Sequence, residues 1–280
     1  MIEKISVIIV THNSKAFLKK SLTSLACQAA LPNEVIIVDS GSEDCEYLQK
    51  ITSELNNLKI KIKYCDNVGF AKANNIGIKL LSKESTRVIF LNPDCFLHHN
   101  FISILINIIK KKPAVGLITG KLEAYDLAID CSTGVLDSTG IFQTYLGRWY
   151  DRGQGEIDYG QFDVSNGQII PAACGALMVC QKNVIDEIIK KDSYFFNEDF
   201  FMYKEDIEIS LRIQKSGRDI LYFSELLAYH CRGWRKHRKL MPRWARLFSA
   251  RNDLIIALKF RQRAFLFACL KYILVLVFDI

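Results

Sequence analysis

Ile5-Ser6-Val7-Ile8-Ile9-Val10-Thr11-His12-Asn13-Ser14 and Glu34-Val35-Ile36-Ile37-Val38-Asp39-Ser40-Gly41-Ser42 are two apolar runs that each break into small and polar residues. The runs Ile5 to Val10 and Val35 to Val38 fit strands covered on both faces, the parallel-sheet case. Between them, Lys15 to Gln28 reads as a helix with Phe17, Leu18, Leu22 and Leu25 on one side. The alternation continues with a helix from about Glu43 to Leu55, the strand Ile60 to Tyr64, a helix from about Phe70 to Leu81, and the strand Val88 to Leu91. This order predicts an α/β fold with a mostly parallel central sheet flanked by helices. Ligands of such sheets lie beyond the carboxyl ends of the strands. Thr11-His12-Asn13, Asp39-Ser40-Gly41 and Asn92-Pro93-Asp94 each follow a strand directly, so all three are expected in one crevice.

The chain has 280 residues, half of them hydrophobic, enough for a full core. Its nine cysteines are odd in number and form no CxxC pair, which argues against a disulfide framework or zinc ribbon and fits a reducing cytoplasm. Glu3 and the short run after it argue against a signal peptide. No GxGxxG follows the first strand, against NAD enzymes. Gly116-Leu-Ile-Thr-Gly120-Lys121 is one residue short of a phosphate-binding loop and lacks its following hydroxyl, so it reads as a strand end. A phosphate would need another holder, such as a metal. Asp94, after a buried strand and a proline, is a candidate hard-cation ligand, with His230 as a second.

From Lys121 to about Gln168 the periodicity weakens among glycines, aspartates and tyrosines, as in a lid or acceptor loop. A strand at Ile169 to Val179 holding Gly175, a helix at about Asn183 to Lys191, and a strand at Ile220 to Phe223 leading to His230 are expected next.

Phe201-Met202-Tyr203-Lys204-Glu205-Asp206-Ile207-Glu208-Ile209-Ser210-Leu211-Arg212-Ile213 carries the clearest chemical signal. Helical spacing gathers Lys204, Glu205, Glu208, Arg212 and Lys215 into one polar arc, while Asp206 falls on the face of Ile209 and Ile213. An acid aimed at the protein body is costly unless bonded or used, and desolvation raises its pKa toward that of a general base. Glu205 also suits the first turn of a helix by complementing its dipole.

Residues 232 to 263 hold eleven Lys or Arg against Asp253 alone, a local +10, leaving −3 for the rest of a chain whose total is +7. With Trp234, Trp244 and Phe248, and the apolar run Ala264 to Ile280 broken by Lys271, this extension suits an anionic membrane surface more than a span. It reads as a unit of its own, residues 232–280, after a domain of residues 1–231; the alternative is an ordinary helical pair packed on that domain with Leu254, Ile255 and Leu258 in the core. Nucleic acid is disfavoured, since neither interleaved sheet aromatics nor a recognition helix occurs.

In combination these stretches resemble the inverting family 2 glycosyltransferases of GT-A fold, especially the rhamnosyltransferase-like branch. The matching residues are Val7 to Ser14, Glu34 to Asp44, Asn67-Val68-Gly69-Phe70-Ala71-Lys72-Ala73-Asn74-Asn75-Ile76-Gly77, Phe90 to Asp94, Gly175 to Met178, Phe200 to Asp206 and Ala228-Tyr229-His230. The resemblance implies that Thr11 and Asp39 hold a nucleobase, that Asn67, Gly69 and Asn75 border the nucleotide, and that Asp94 and His230 hold Mg2+ or Mn2+. It implies Asp206 as catalytic base, with Gly175 and Glu205 near the acceptor or donor sugar. Asn92 stands where many relatives have the first acid of a DxD motif. Leu240 stands where the QxxRW motif of processive synthases has Gln, which disfavours polymerisation. The expected activity is transfer of a single sugar from a nucleoside-diphosphate sugar, dTDP-rhamnose, a UDP-hexose or a GDP-sugar, to a glycan or lipid-linked acceptor. It would take place at the cytoplasmic face of a membrane. A pyrophosphorylase would need a Gly-rich basic N-terminal loop, which is missing here. A nucleotide-sugar-binding module without turnover would tolerate loss of Asp206. The oligomeric state is not legible.

Overall fold

The computed structural model describes residues 3–231 and 241–278. Four strands, β1 (Ile5–Thr11), β2 (Glu34–Ser40), β3 (Ile60–Cys65) and β4 (Arg87–Leu91), run parallel in the order β3-β2-β1-β4. The helices α1 (Lys15–Ala26), α2 (Glu46–Ser53) and α3 (Phe70–Lys79) connect them. β1, β2 and β4 are buried along their whole length, which is why their sequences are runs rather than alternations. β3, at the sheet edge, alternates half-buried and exposed positions.

Beyond β4 the sheet becomes mixed. A short β5 (Cys95–Leu97) and α4 (Phe101–Lys111) lead into β6 (Leu117–Asp126) and β7 (Cys131–Ser138), followed by a hairpin of β8 (Ile141–Gln143) and β9 (Trp149–Asp151). After these come β10 (Gln168–Ile169), β11 (Leu177–Gln181), α5 (Lys182–Asp192), α6 (Glu205–Lys215) and β12 (Ile220–His230). Among the described residues, ten strands join one sheet, its main path ending β4-β11-β6-β12-β10.

Three expectations change. Residues 121 to 168 are not a loop: β6 runs on to Asp126 and pairs with β7, Tyr125 opposite Ser132, and Gly116 to Lys121 opens this strand rather than ending one. Its polar composition hid the strands, because pairing partners on a half-exposed excursion need no apolar run. The strand expected at Ile169 to Val179 splits into β10 and β11, with Ile170 to Ala176 outside both. The polar arc of α6 is largely enclosed: Glu208 is 0% exposed and Arg212 and Glu205 are buried, whereas Asp206 is only half-buried.

The enclosing element is α7 (Arg243–Lys259), followed by α8 (Phe265–Phe278). Lys259 Nζ reaches Glu208 Oε1 at 2.6 Å, and Glu208 is also paired with Arg212. Ile256 enters the core, while Leu254 and Ile255 are half-buried and Leu258 is exposed. No helix among the described residues is long and apolar enough to cross a membrane. Trp234 and the basic residues Arg232, Arg235, Lys236, Arg238 and Lys239 lie outside the described residues, as does Leu240.

Candidate active site

The β1–β2 register places Thr11 directly beside Asp39 at the carboxyl ends of the two strands. Asp39 is buried and accepts from Ser42 N–H at 2.9 Å and Ser42 Oγ at 2.6 Å, an arrangement that follows from an acid heading the Ser40-Gly41-Ser42 turn. Thr11 Oγ1 lies 3.3 Å from Tyr47 Oη. Asn67 is exposed beside this turn; a Cβ on Gly41 would lie 2.6 Å from its backbone nitrogen. Gly69 has φ +79°, and a Cβ there would sit 2.4 Å from Phe201 O, so only glycine lets the loop before α3 approach the segment before α6. Phe70 N–H donates to Phe201 O at 2.8 Å and seals that junction. Asn75 is placed elsewhere. Its side chain is buried under α3 and bonds the backbone N–H and carbonyl of Phe196 and Glu198 Oε1, so its amide is spent on holding that loop.

Pairing of β5 with β12 sets Cys95 opposite His230 and thereby brings Asp94 to the imidazole. His230 Nδ1 lies 2.8 Å from Asp137 Oδ2, and Nε2 lies 3.3 Å from Asp94 Oδ1. Burial opposes protonation of His230, but bonds and charges from Asp137 and Asp94 outweigh it and push its pKa up to about 9. Burial would raise Asp94, yet the hydrogen bond and charge of His230 hold it below the ordinary aspartate range. Asp137, on β7, was not foreseen, because it lies in the stretch read as irregular.

A cation fits this pair in one respect: once Nε2 has lost its proton, it and Asp94 Oδ1 are two donors 3.3 Å apart while a carboxylate backs the other ring nitrogen, the arrangement that orients a ligating histidine. Asn92 Oδ1, two residues before Asp94, is buried and unpartnered. No group of three or more His, Cys, Asp or Glu that could hold a metal occurs among the described residues. Protein ligands alone would therefore leave most of a coordination shell to phosphate and water, as Mg2+ commonly accepts.

Asp206 stands on the first turn of α6. Its Oδ2 accepts from Gly175 N–H at 2.9 Å and its Oδ1 from Ile207 N–H at 2.8 Å. A Cβ at Gly175 would come within 3.2 Å of Asp206 Cβ, so this glycine leaves the carboxylate its seat. Crowding of the carboxylate by protein pushes its pKa above the ordinary aspartate value; Gly175 N–H and Lys204 pull the other way, and the charge of Asp151 adds to the rise. Asp151 ends the β8–β9 hairpin and is the second acid that sequence reasoning missed. Ala176 O accepts from Asn92 N–H at 3.0 Å, so the turn that carries Gly175 touches the turn that carries Asp94. Glu205, by contrast, is buried.

Residues 6–133 match the family model for Glycosyl transferase family 2. The chain is 32% identical over 146 residues to a processive diacylglycerol beta-glycosyltransferase of Mycoplasma genitalium, covering 50% of this chain and 42% of the relative. It is 28% identical over 105 residues to Glycosyltransferase GlyA of Streptococcus pneumoniae, covering 37% and 14%. The chain thus spans less than half the length of either relative. Among solved structures, GalNAc-T7 with UDP, GalNAc and Mn2+ superposes with a TM-score of 0.67 at 17% identity, covering 91% of this chain and 48% of that one. S. aureus TarS 1–349 in complex with UDP gives a TM-score of 0.55 at 18% identity, covering 90% and 65%.

Proposed function

We propose that this chain, whose residues 6–133 match the family model for Glycosyl transferase family 2 and whose fold is GT-A, transfers one sugar from a nucleoside-diphosphate sugar to an acceptor hydroxyl with inversion. One observation carries the reading. Asp206, a carboxylate with raised basicity, is locked by Gly175 beside the Asn92–Asp94 turn, at the carboxyl ends of the strands that hold Thr11 and Asp39.

In this reading the nucleobase lies against Thr11 and Asp39, near Asn67 and Gly69. Asp206 takes the proton of the acceptor hydroxyl as its oxygen attacks the anomeric carbon. The bond from that carbon to the phosphate oxygen breaks, and its electron pair leaves with the diphosphate. Attack from the face opposite the leaving group, with a single base, inverts the centre. A divalent cation, Mg2+ or Mn2+, held by Asp94 and His230, would neutralise charge on the diphosphate. Asp137 fixes the imidazole, and Gly175 N–H keeps the base aimed.

The donor is proposed as dTDP-rhamnose or a UDP-hexose; the UDP bound in both solved structures named above supports the second. A lipid-linked acceptor is supported by the curated relative named for diacylglycerol and by α8, where Leu266, Leu270, Ile273, Val277 and Phe278 are more than half exposed. The exposed Trp244 and the basic Arg261 and Arg263 stand nearby in sequence and suit a headgroup layer. We therefore place the protein peripherally on the cytoplasmic face of a membrane.

Asp206→Asn decides the reading. Turnover should fall about 10²- to 10⁴-fold with donor affinity kept, because the amide preserves shape but not basicity. Near-normal transfer by this variant would exclude Asp206 as base. Vesicle sedimentation tests the location: the full chain should pellet with anionic vesicles and partly release in high salt, and indifference to them would remove the membrane.

A further inference from the structure

The segment that delivers Asp206 is strained. Tyr203 and Lys204 have φ of 68° and 69°, two successive left-handed residues that bear side chains. Such a conformation persists only where its surroundings over-determine it, and here they come from the far end of the chain. Asn252 of α7 is 0% exposed and donates from Nδ2 to Met202 O at 3.0 Å and to Tyr203 O at 2.8 Å. Its neighbour Arg251 donates from Nη1 to Asp199 O at 2.9 Å. Phe248, one turn earlier, stacks on Phe201 with ring centroids 5.5 Å apart. One face of α7 thus grips residues 199 to 203 over their whole length.

We infer that Asn252 is a positioning residue for the proposed transfer: by fixing two consecutive carbonyls immediately before α6, it sets the first helical turn and so the place of the Asp206 carboxylate. The inference rests on the function proposed above. Asn252 touches no reacting atom. Its effect passes through Lys204, whose dihedral angles decide where Glu205 begins the helix, and a displacement of about 1 Å at a base can cost on the order of 10²-fold in rate. The amide suits the task because its NH2 group has two hydrogens for two carbonyls. Aspartate has the same size and offers neither.

The test uses the full chain with Asn252→Asp and Asn252→Ala, and with Ile256→Val as a control on the same helix. The Asn252 variants should lose about 10- to 100-fold in kcat while donor affinity stays within about threefold. Backbone amides of residues 203 to 207 should exchange with deuterium faster than in the wild type. The control should change neither. Unchanged kcat with unchanged exchange, or a loss confined to donor affinity, would overturn the assignment. Should the Asn252 variants fail to fold, the exposed Arg251→Met, which removes the bond to Asp199 O, carries the same two measurements. If the wild-type chain turns over no sugar nucleotide, the transferase reading falls, and the exchange rates alone still decide whether α7 holds the loop.

Discussion

The β3-β2-β1-β4 half and the half built from β5 to β12 with α6 and α7 reach the same crevice by different physics. In the first, each candidate site residue is set by its own strand: Thr11 and Asp39 stand side by side because β1 and β2 are parallel neighbours in register. In the second, placement depends on partners distant in the chain. Asp94 meets His230 through β5–β12 pairing, Asp206 is seated by Gly175, and Glu208 is closed in by Lys259. A site made of strand ends inherits the stability of the sheet, whereas a site made of long-range contacts depends on each of them.

That contrast is broken most directly at Glu208. Its carboxylate is 0% exposed and bonded to Arg212 and Lys259, so Glu208→Ala leaves two cations facing an emptied space. Breaking a buried pair from one side typically costs about 3–5 kcal/mol. Urea unfolding should show a loss of that order. A loss below about 1 kcal/mol would mean that α7 is not anchored through this network and that the second half is as self-sufficient as the first.

The next effect lies where the halves meet. Gly69→Ala forces a side chain into a left-handed residue and onto Phe201 O, a combination expected to cost about 1–3 kcal/mol. Nucleotide binding and transfer should both weaken, because the Asn67–Phe70 loop and the segment before Asp206 share this contact. Calorimetric titration with UDP alongside a turnover assay separates the outcomes. Loss of binding with unchanged turnover at saturation would show that the halves are not coupled here.

The same contrast explains what could be read in advance. β1, β2 and β4 are continuous apolar runs because both faces are buried, and the positions of Thr11, Asp39 and Asp94 follow from where those runs end. Helical spacing set Asp206 apart from the polar arc of α6, yet it misjudged the burial of both, since Asp206 is the less buried. The burial of Glu208 and Arg212 was not legible, since a polar arc looks the same whether water or a later helix covers it. Asp137 and Asp151 were hidden for a related reason: β7 and β9 are defined by their partners rather than by a hydrophobic rhythm. Asn252 gives no local signal at all, because its two acceptors lie about fifty residues earlier in the chain.

The smallest expected effect is a difference of sign between one acid from each half. Glu34, at the start of β2, is pushed upward by burial, but the Lys61 ammonium, Ser82 N–H and Ser6 hydroxyl outweigh this and hold it below the ordinary glutamate range. A depressed native pKa contributes stability that is present above the unfolded value, about 4.3, and is lost as pH falls through the native one. Asp206 is the reverse. Its raised native pKa means that the folded chain binds the extra proton, so stability declines as pH climbs from about 3.9 through the raised value. Glu34→Gln should therefore lower the Tm at pH 7 and approach wild type in acid, whereas Asp206→Asn should raise the Tm at pH 7 by a few degrees at most and lose that advantage in acid. Paired thermal melts between about pH 3 and 8 measure both. An Asp206→Asn variant less stable than wild type at pH 7 would mean that the bonds from Gly175 and Ile207 outweigh the crowding. Asp206 would then be a structural acid like Glu34, without the raised basicity on which its catalytic role depends.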